Sequence, residues 1–411
     1  MDLEQLRELD ANDSLASKRV EFKIPEGLIY LDGNSLGPLP AGIEQRLQEM
    51  ITQQWGQDLI SSWNKHQWID LPVKVGERIA PLLGAAPGQV VCCDSISVNL
   101  FKLLGAALQL NSPRRVVLSQ QDNFPTDLYT AQGIAGLLGD ARCQLKQVSS
   151  DALYDALDET VAVLMLTHVN FRSGAMHDMR ELTRRAHDVG ALVIWDLAHS
   201  AGAVPLALDA DNVDFAVGCG YKYLNGGPGA PAFVYVAERL QQRVEQPLSG
   251  WMGHSAPFNF DAGYAAAAGA KRFLSGTPPI LSMAVLDAAL DVFDGVDMQD
   301  VRAKSQQLCQ MFLGLMRQLE LLPKMPCASP ANDKERGSQL AFQHGDAFAI
   351  AQALIDQQVI VDFRAPDILR FGFCPLYTRF EDIWHAVHRL SEIVTSGTYK
   401  QEIFNQRGAV T

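Results

Sequence analysis

The run Thr160–Thr167 has the sequence TVAVLMLT. Its continuous apolar centre predicts a parallel strand that is buried on both faces. His177–Val189 follows with apolar side chains at helical spacing, and Ala191–Trp195 predicts the next strand. Strand, helix and strand in this order predict a right-handed crossover within a mostly parallel sheet that is flanked by helices.

The same alternation extends to both sides of this run. Strands are predicted at Gln89–Cys93, Arg115–Ser119, Phe215–Cys219 and Ala232–Val236, and helices at Pro40–Trp55, Ser97–Leu110 and Thr126–Leu138. The chain is therefore expected to have an α/β fold with one large domain.

The pattern changes near Gly276–Pro279, and the remainder predicts a smaller α+β domain. Its expected elements are helices at Ile280–Phe293, Met298–Leu319 and Ala347–Gln357, a loop at Pro323–Gly337, strands at Gln339–Gln343 and near Val359 and Leu369, and a last helix around Phe380–Leu390. We expect an N-terminal segment (1–60) that packs with the small domain, a large domain (61–275) and a small domain (276–411).

Composition excludes several classes of protein. The 411 residues are 47% hydrophobic and 20% charged, enough for a large core, and the net charge of −13 argues against nucleic-acid binding. Met1–Glu8 lacks a secretory signal and no apolar run reaches the roughly 20 residues of a membrane span. Seven cysteines without a C-x-x-C pair predict free thiols in a cytoplasmic protein, and no metal is expected.

Polar residues follow the predicted strands where each strand ends. They occur in Asp94–Ser97 (DSIS), Asn123–Asp127 (NFPTD), Thr167–Asn170 (THVN) and Trp195–His199 (WDLAH). Each alone is explained as well by a helix cap, a packed turn or a structural hydrogen bond. The carboxyl ends of parallel strands meet at one edge of the sheet, however, and ligands bind there.

A single lysine, Lys222, lies in the glycine-rich connection Gly218–Gly229 (GCGYKYLNGGPG) between two apolar strands. A lysine in an apolar setting is a candidate imine-forming amine, and the alternative of a surface lysine in a hairpin is weakened by the flanks. Together with Ser97, Phe124 and Asp196 it matches the needs of pyridoxal phosphate. These are donors for the phosphate, an aromatic partner, a carboxylate for the ring nitrogen and an amine for the aldehyde. No Walker A or H-E-x-x-H motif competes with this interpretation.

Six blocks of sequence resemble kynureninases, and the resemblance spans nearly the whole chain. They are Tyr30–Gly37 (YLDGNSLG), Asn123–Asp127, Trp195–Ala203 (WDLAHSAGA), Tyr221–Gly229, Leu248–Trp251 (LSGW) and Arg370–Tyr377 (RFGFCPLY). The resemblance implies a fold-type I pyridoxal-phosphate enzyme that forms a homodimer with its active site at the interface. It also implies hydrolysis of L-kynurenine, or its 3-hydroxy form, to anthranilate (or 3-hydroxyanthranilate) and L-alanine, in tryptophan catabolism and NAD biosynthesis.

The resemblance assigns roles residue by residue. Lys222 is the Schiff-base lysine, Asp196 the partner of the pyridine nitrogen, Phe124 the ring that stacks on the cofactor, and Tyr221 either a proton shuttle or a phosphate ligand. Lys222, Tyr221 and Asp196 are the expected catalytic residues. Further expected cofactor contacts are Ile96, Ser97, Asp127, Thr167, His199, Trp251 and Thr277, and the expected substrate contacts are Arg370, which would hold the α-carboxylate, Asn34 and Ser35. A threonine at 277 resembles the bacterial type, which implies a preference for L-kynurenine.

Two alternatives remain open. A cysteine desulfurase or selenocysteine lyase of the same fold group needs a mobile, exposed cysteine, for which only Cys327 in the predicted loop is suitable. Cys309 lies in a predicted helix and Cys374 ends a strand. A non-catalytic protein that binds pyridoxal phosphate is the second alternative, and the carboxylate-binding Arg370 favours turnover instead.

Overall fold

The computed structural model describes residues 2–406 of the chain. In chain order its helices are α1 (Leu3–Ala11), α2 (Ile43–Glu49), α3 (Ser62–Lys65), α4 (Leu71–Ile79), α5 (Ile96–Leu110), α6 (Pro125–Leu138), α7 (Met179–Asp188), α8 (Glu238–Gln241), α9 (Ile280–Ala289), α10 (Met298–Gln318), α11 (Ala347–Asp356) and α12 (Phe380–Ser396). The strands are β1 (Ile29–Tyr30), β2 (Val90–Cys92), β3 (Val116–Gln120), β4 (Gln144–Val148), β5 (Val161–Thr167), β6 (Leu192–Asp196), β7 (Phe215–Cys219), β8 (Ala232–Val236), β9 (Gln339–Gln343), β10 (Val359–Ile360), β11 (Asp362–Arg364) and β12 (Ile368–Gly372).

The main sheet has seven strands in the order β2-β8-β7-β6-β5-β3-β4. Its strands from β7 to β4 are parallel to their neighbours, whereas β8 runs antiparallel to both β7 and β2. Every residue of β5, β7 and β8 is buried, which explains their continuous apolar sequences. The predicted α/β class with a mostly parallel sheet is confirmed.

The strands and helices predicted around this sheet end within two residues of their expected positions. The edge strand β4 was not predicted, because its sequence QLKQV is polar and each of its residues is only half-buried. The helix expected over Pro40–Trp55 begins at Ile43 and becomes a π-helix over Met50–Trp55. The helix expected over Ile280–Phe293 likewise ends at Ala289 and continues as a 3₁₀ turn.

A second hydrophobic core surrounds the antiparallel sheet β11-β12-β9. The ring of Phe312 in α10 lies 4.6 Å from that of Phe371 in β12, measured between centroids. The N-terminal segment joins this core through Leu6 and Leu31, and β1 pairs in parallel with β10. Both chain ends therefore contribute to the smaller core.

Helices α9 and α10 contribute to different cores. Met283 and Leu286 of α9 belong to the core of the main sheet, whereas α10 joins the second core from Leu308 onward. The division into 1–60, 61–275 and 276–411 stays a prediction, and Met1 and residues 407–411 lie outside the described residues. Among residues 2–406, no helix is both long and apolar enough to cross a membrane.

Candidate functional site

A cavity of about 300 Å³ opens at the carboxyl ends of β5, β6 and β7. The register pairs Thr167, the last residue of β5, with Asp196, the last residue of β6. Nine of the predicted site residues line this cavity. The full lining consists of Ser95, Ile96, Ser97, Phe124, Thr126, Asp127, Thr167, Phe171, Asp196, Ala198, His199, Cys219, Tyr221, Lys222, Ala230 and Ala232.

Lys222 reaches the cavity from a tight turn that follows β7. The backbone N–H of Asn225 donates to the carbonyl of Lys222 at 2.9 Å, and Asn225 has a positive φ of 58°. A Cβ atom on Gly220 would lie 2.6 Å from the carbonyl oxygen of Pro231, so only glycine fits there. The amine Nζ lies 3.0 Å from Nε2 of His199. Removal of water around the amine lowers the pKa of Lys222, and burial lowers the pKa of His199 well below its usual value.

Two carboxyl groups, Asp127 and Asp196, lie side by side in the cavity and are both buried. Oδ1 of Asp196 accepts from the backbone N–H of Ala198 at 2.8 Å. Oδ2 of Asp127 accepts from Nδ2 of Asn123 at 2.9 Å, while its Oδ1 has no hydrogen-bond partner. Burial raises the pKa of both groups, and the charge of Asp196 raises the pKa of Asp127 further. Of the two groups, Asp127 therefore has the stronger tendency to hold a proton.

The first turn of α5 forms another wall. Ser95 caps the helix, because its Oγ accepts from the N–H of Val98 at 3.4 Å. The N–H groups of Ile96 and Ser97 have no protein acceptor among the described residues. Two free donors at a helix N-terminus form a site that favours an anion.

Two aromatic rings, Phe124 and Phe171, also line the cavity. The centroid of the Phe124 ring lies 6.0 Å from Nζ of Lys222, and Phe171 packs edge-on against Phe124 at 5.3 Å. Tyr221 also lines the cavity, and burial raises the pKa of its phenol, so the hydroxyl stays protonated at neutral pH.

Arg370 lies behind the cavity wall in β12 and is 1% exposed. Its Nη1 donates to the carbonyl of Phe171, which lines the cavity. Its Nε donates to Oδ1 of Asp362 at 2.8 Å and its Nη2 to Oγ of Ser35 at 3.0 Å. With its amide oxygen turned toward the guanidinium, Asn34 accepts from Nε of Arg370 at 2.9 Å. The three predicted substrate contacts thus form one cluster.

The block that contains Asn34 and Ser35 also contacts the lysine turn. The N–H of Gly37 donates to the carbonyl of Tyr221 at 2.8 Å. A Cβ atom on Gly37 would lie 2.5 Å from the carbonyl oxygen of Lys222, so a larger residue would displace the turn. The N-terminal block therefore packs directly against the turn that carries the lysine.

Trp251 and Thr277 are not part of this cavity within the described chain. Both residues are exposed, and the ring of Trp251 packs edge-on against Phe258 at 5.7 Å between centroids. Within one chain, these two predicted cofactor contacts therefore lie apart from the nine predicted residues that line the cavity.

Several residues of the site were not predicted as functional. Phe171 lines the cavity, Oε1 of Gln339 accepts from Nδ1 of His199 at 3.2 Å, and Asp362 pairs with Arg370. Asp362 and Arg364 alternate with apolar neighbours in a short strand, and buried charges at that spacing are the signal that would have indicated the cluster. Nothing in the sequence around Gln339 distinguishes it.

The cysteines expected for a desulfurase lie elsewhere. Cys309 and Cys374 are buried, and Cys327 is half-buried in a bridge to Phe342. Burial raises the pKa of all three thiols, which opposes formation of a nucleophilic thiolate.

Comparisons with known proteins identify the family. A family model described as the kynureninase C-terminal domain matches residues 301–390. A kynureninase from Pseudomonas fluorescens is 48% identical over 407 residues, covering 98% of each chain.

Two solved structures have a similar fold at 20% sequence identity. A cysteine desulfurase from Thermococcus onnurineus NA1 has a TM-score of 0.77 and covers 92% of this chain and 98% of its own. A C-DES mutant with glycine covalently linked to its pyridoxal-phosphate cofactor also has a TM-score of 0.77, with 91% and 99% covered. These two likenesses concern the fold alone, whereas the resemblance to kynureninase is confirmed across the whole length. The chain therefore belongs to the kynureninase family of pyridoxal-phosphate-dependent enzymes.

Proposed function

We propose that this chain hydrolyses L-kynurenine to anthranilate and L-alanine, with pyridoxal phosphate bound through Lys222. The observation that carries the proposal is the 48% identity with a kynureninase over 98% of each chain. The cavity supports it, because it gathers an amine, a carboxyl pair, an aromatic ring and a helix N-terminus within one space.

The residues of the cavity fit the cofactor. Three polar groups lack a protein partner among the described residues: the N–H groups of Ile96 and Ser97, and Oδ1 of Asp127. Free N–H donors suit a phosphate. A buried carboxyl pair with one oxygen that lacks a partner suits a protonated ring nitrogen, which Asp196 would face. When bound, pyridoxal phosphate supplies an aldehyde that joins amines and a protonated ring that accepts electrons from the substrate.

Lys222 would hold the cofactor and then move a proton. Its lowered pKa makes the neutral amine accessible, and neutral amine is the form that bonds to an aldehyde. With the substrate bound, Nζ of Lys222 would act as the base that removes the proton from the substrate Cα. Burial favours the neutral form of His199. Its Nε2, 3.0 Å from Nζ of Lys222, would accept a hydrogen bond from that amine and orient it.

Asp196 would keep the ring nitrogen protonated, and Asp127 would support it. An ionised Asp196 inside a cavity with little water has a strong preference for a neighbouring N–H⁺ group. Asp127 contributes its proton-bearing form, so that the pair carries one negative charge rather than two.

Tyr221 and Arg370 would act on the substrate. The protonated phenol of Tyr221 lies beside Lys222, where it can donate to the γ-carbonyl as water adds, or instead bind the phosphate. Arg370 would hold the α-carboxylate and thereby orient the Cβ–Cγ bond, with Asn34 and Ser35 holding its guanidinium.

A homodimer with a shared active site explains the two outlying positions. Trp251 and Thr277 lie outside the cavity of their own chain. We propose that a second copy brings them to its partner's cofactor, as the family resemblance implies. We also propose a cytoplasmic enzyme of tryptophan catabolism that serves NAD biosynthesis. The free thiols support the cytoplasmic location.

The test is an assay of the purified, cofactor-loaded protein with three substrates in parallel. We expect equimolar anthranilate and alanine from L-kynurenine, slower turnover of 3-hydroxykynurenine, and no sulfide from cysteine. Sulfide release without anthranilate would instead support the desulfurase chemistry of the structural neighbours.

A further inference from the structure

Lys102 is a fully buried lysine in α5, a few residues beyond the helix N-terminus that lines the cavity. Its Nζ donates to the carboxylate of Asp94 and, at 2.6 Å, to the carbonyl oxygen of Phe273. A buried ammonium group is costly unless it has such partners. No step of the proposed reaction uses this side chain.

Asp94 occupies an unusual backbone conformation directly before the Ser95 cap. Its φ is +49°, in the left-handed region that residues other than glycine rarely adopt. Two contacts hold it there. Its carbonyl accepts from the N–H of Ala232 at 2.8 Å, and its carboxylate pairs with Lys102. The ion pair thus fixes the turn from which α5 begins.

A carboxylate at this position also opposes the proposed ligand by its charge. Asp94 lies two residues before Ile96 and three before Ser97, whose free N–H groups line the cavity. A negative charge so near a phosphate is electrostatically unfavourable. Its presence therefore calls for a structural reason, which the pairing with Lys102 supplies.

We infer that the Lys102–Asp94 ion pair is a positioning device for the cofactor phosphate, because it holds the turn that aims the N–H groups of Ile96 and Ser97. This inference rests on the proposed function, in which those two groups bind the phosphate. Lys102 and Asp94 are positioning residues, since they act through the backbone of the turn.

The test compares two ligands, pyridoxal phosphate and pyridoxal, which differ only in the phosphate. Their dissociation constants for the cofactor-free protein are measured by equilibrium dialysis. In Asp94→Asn we expect about tenfold weaker binding of pyridoxal phosphate, the loss that one misaligned charge-assisted hydrogen bond produces. Pyridoxal should bind within about twofold of the wild type. If Asp94 acted by its charge alone, the variant would bind pyridoxal phosphate more tightly, which would overturn the inference.

Lys102→Met should change the same ratio in the same direction, and Asp94→Asn carries the test if Lys102→Met does not fold. Lys304→Met is the matched control. Lys304 is also buried, and its Nζ donates to Asp13 and to the carbonyl of Pro375, each at 2.6 Å. We expect Lys304→Met to lower the melting temperature while leaving the ratio of the two dissociation constants unchanged. A similar change of the ratio in Lys304→Met would mean that loss of stability alone weakens phosphate binding, which would overturn the inference.

The outcomes separate this inference from the function on which it rests. If the wild type binds pyridoxal phosphate no better than pyridoxal, the proposed phosphate position itself is wrong. If the wild type discriminates and Asp94→Asn discriminates equally well, the phosphate position stands and only the role of the ion pair fails.

Discussion

Nζ of Lys222 lies 3.0 Å from Nε2 of His199, and the two side chains meet at the carboxyl ends of β7 and β6. Loss of water lowers the pKa of each group, so both favour their neutral forms. The cavity therefore favours the neutral form of this amine more than water does.

Removing the amine should stabilise the cofactor-free protein. A lysine whose pKa is lowered on folding binds fewer protons in the folded than in the unfolded state, so its burial costs stability at neutral pH. The cost shrinks as pH rises toward about 10.4, the pKa of lysine in an unfolded chain. We expect Lys222→Met to raise the free energy of unfolding at pH 7, with a gain that has largely disappeared near pH 10. Urea denaturation across this range measures it, and a gain independent of pH would contradict the assignment.

Asp127 should produce the opposite dependence on pH. Burial and the charge of Asp196 raise the pKa of Asp127, so the folded protein retains a proton that the unfolded chain releases above about pH 3.9. The stability of the cofactor-free protein therefore falls as pH rises above that value. Asp127→Asn should be more stable than the wild type at pH 8 and no more stable near pH 4. Equal differences at both pH values, measured by denaturation, would show that Asp127 does not hold the proton.

The two carboxyl groups should differ in their effect on turnover. Asp196→Asn removes the charge that we propose for the ring nitrogen, and we expect kcat to fall by about 10²-fold or more. Asp127→Asn is the matched control in the same cavity. It retains Asp196 and should lose less than about tenfold. Equal losses in the two variants would mean that the roles cannot be divided as proposed.

Arg370→Lys should raise the KM for L-kynurenine by about 10- to 100-fold with a smaller change in kcat, because a lysine cannot replace the planar guanidinium. Arg364→Lys is the comparison, since Arg364 pairs with the same Asp362 at 2.8 Å but is more exposed. We expect a smaller change there. An unchanged KM in Arg370→Lys would remove Arg370 from the substrate site.

The strands of the main sheet could be predicted from the sequence because burial on both faces leaves an unbroken apolar run, as in β5 and β8. The edge strand β4 could not, since one half-exposed strand with polar residues resembles a loop. That β8 runs antiparallel was equally beyond prediction, because strand direction depends on the connection to β7 rather than on composition.

The centre of the site could also be predicted, since Thr167, Asp196 and Lys222 lie at or just after strand ends that converge in a parallel sheet. The surroundings of Arg370 could not. Its contacts with Ser35 and with the carbonyl of Phe171 join segments that are far apart in the chain, and only the fold brings them together.

Reductive trapping of the cofactor locates directly the lysine that binds it. The loaded protein is reduced with borohydride, digested and mapped by mass spectrometry, with Lys222→Ala as the control. We predict a single pyridoxyl group on the peptide that carries Lys222, and none in the variant. A label on another lysine in the wild type would contradict the assignment of this cavity as the active site.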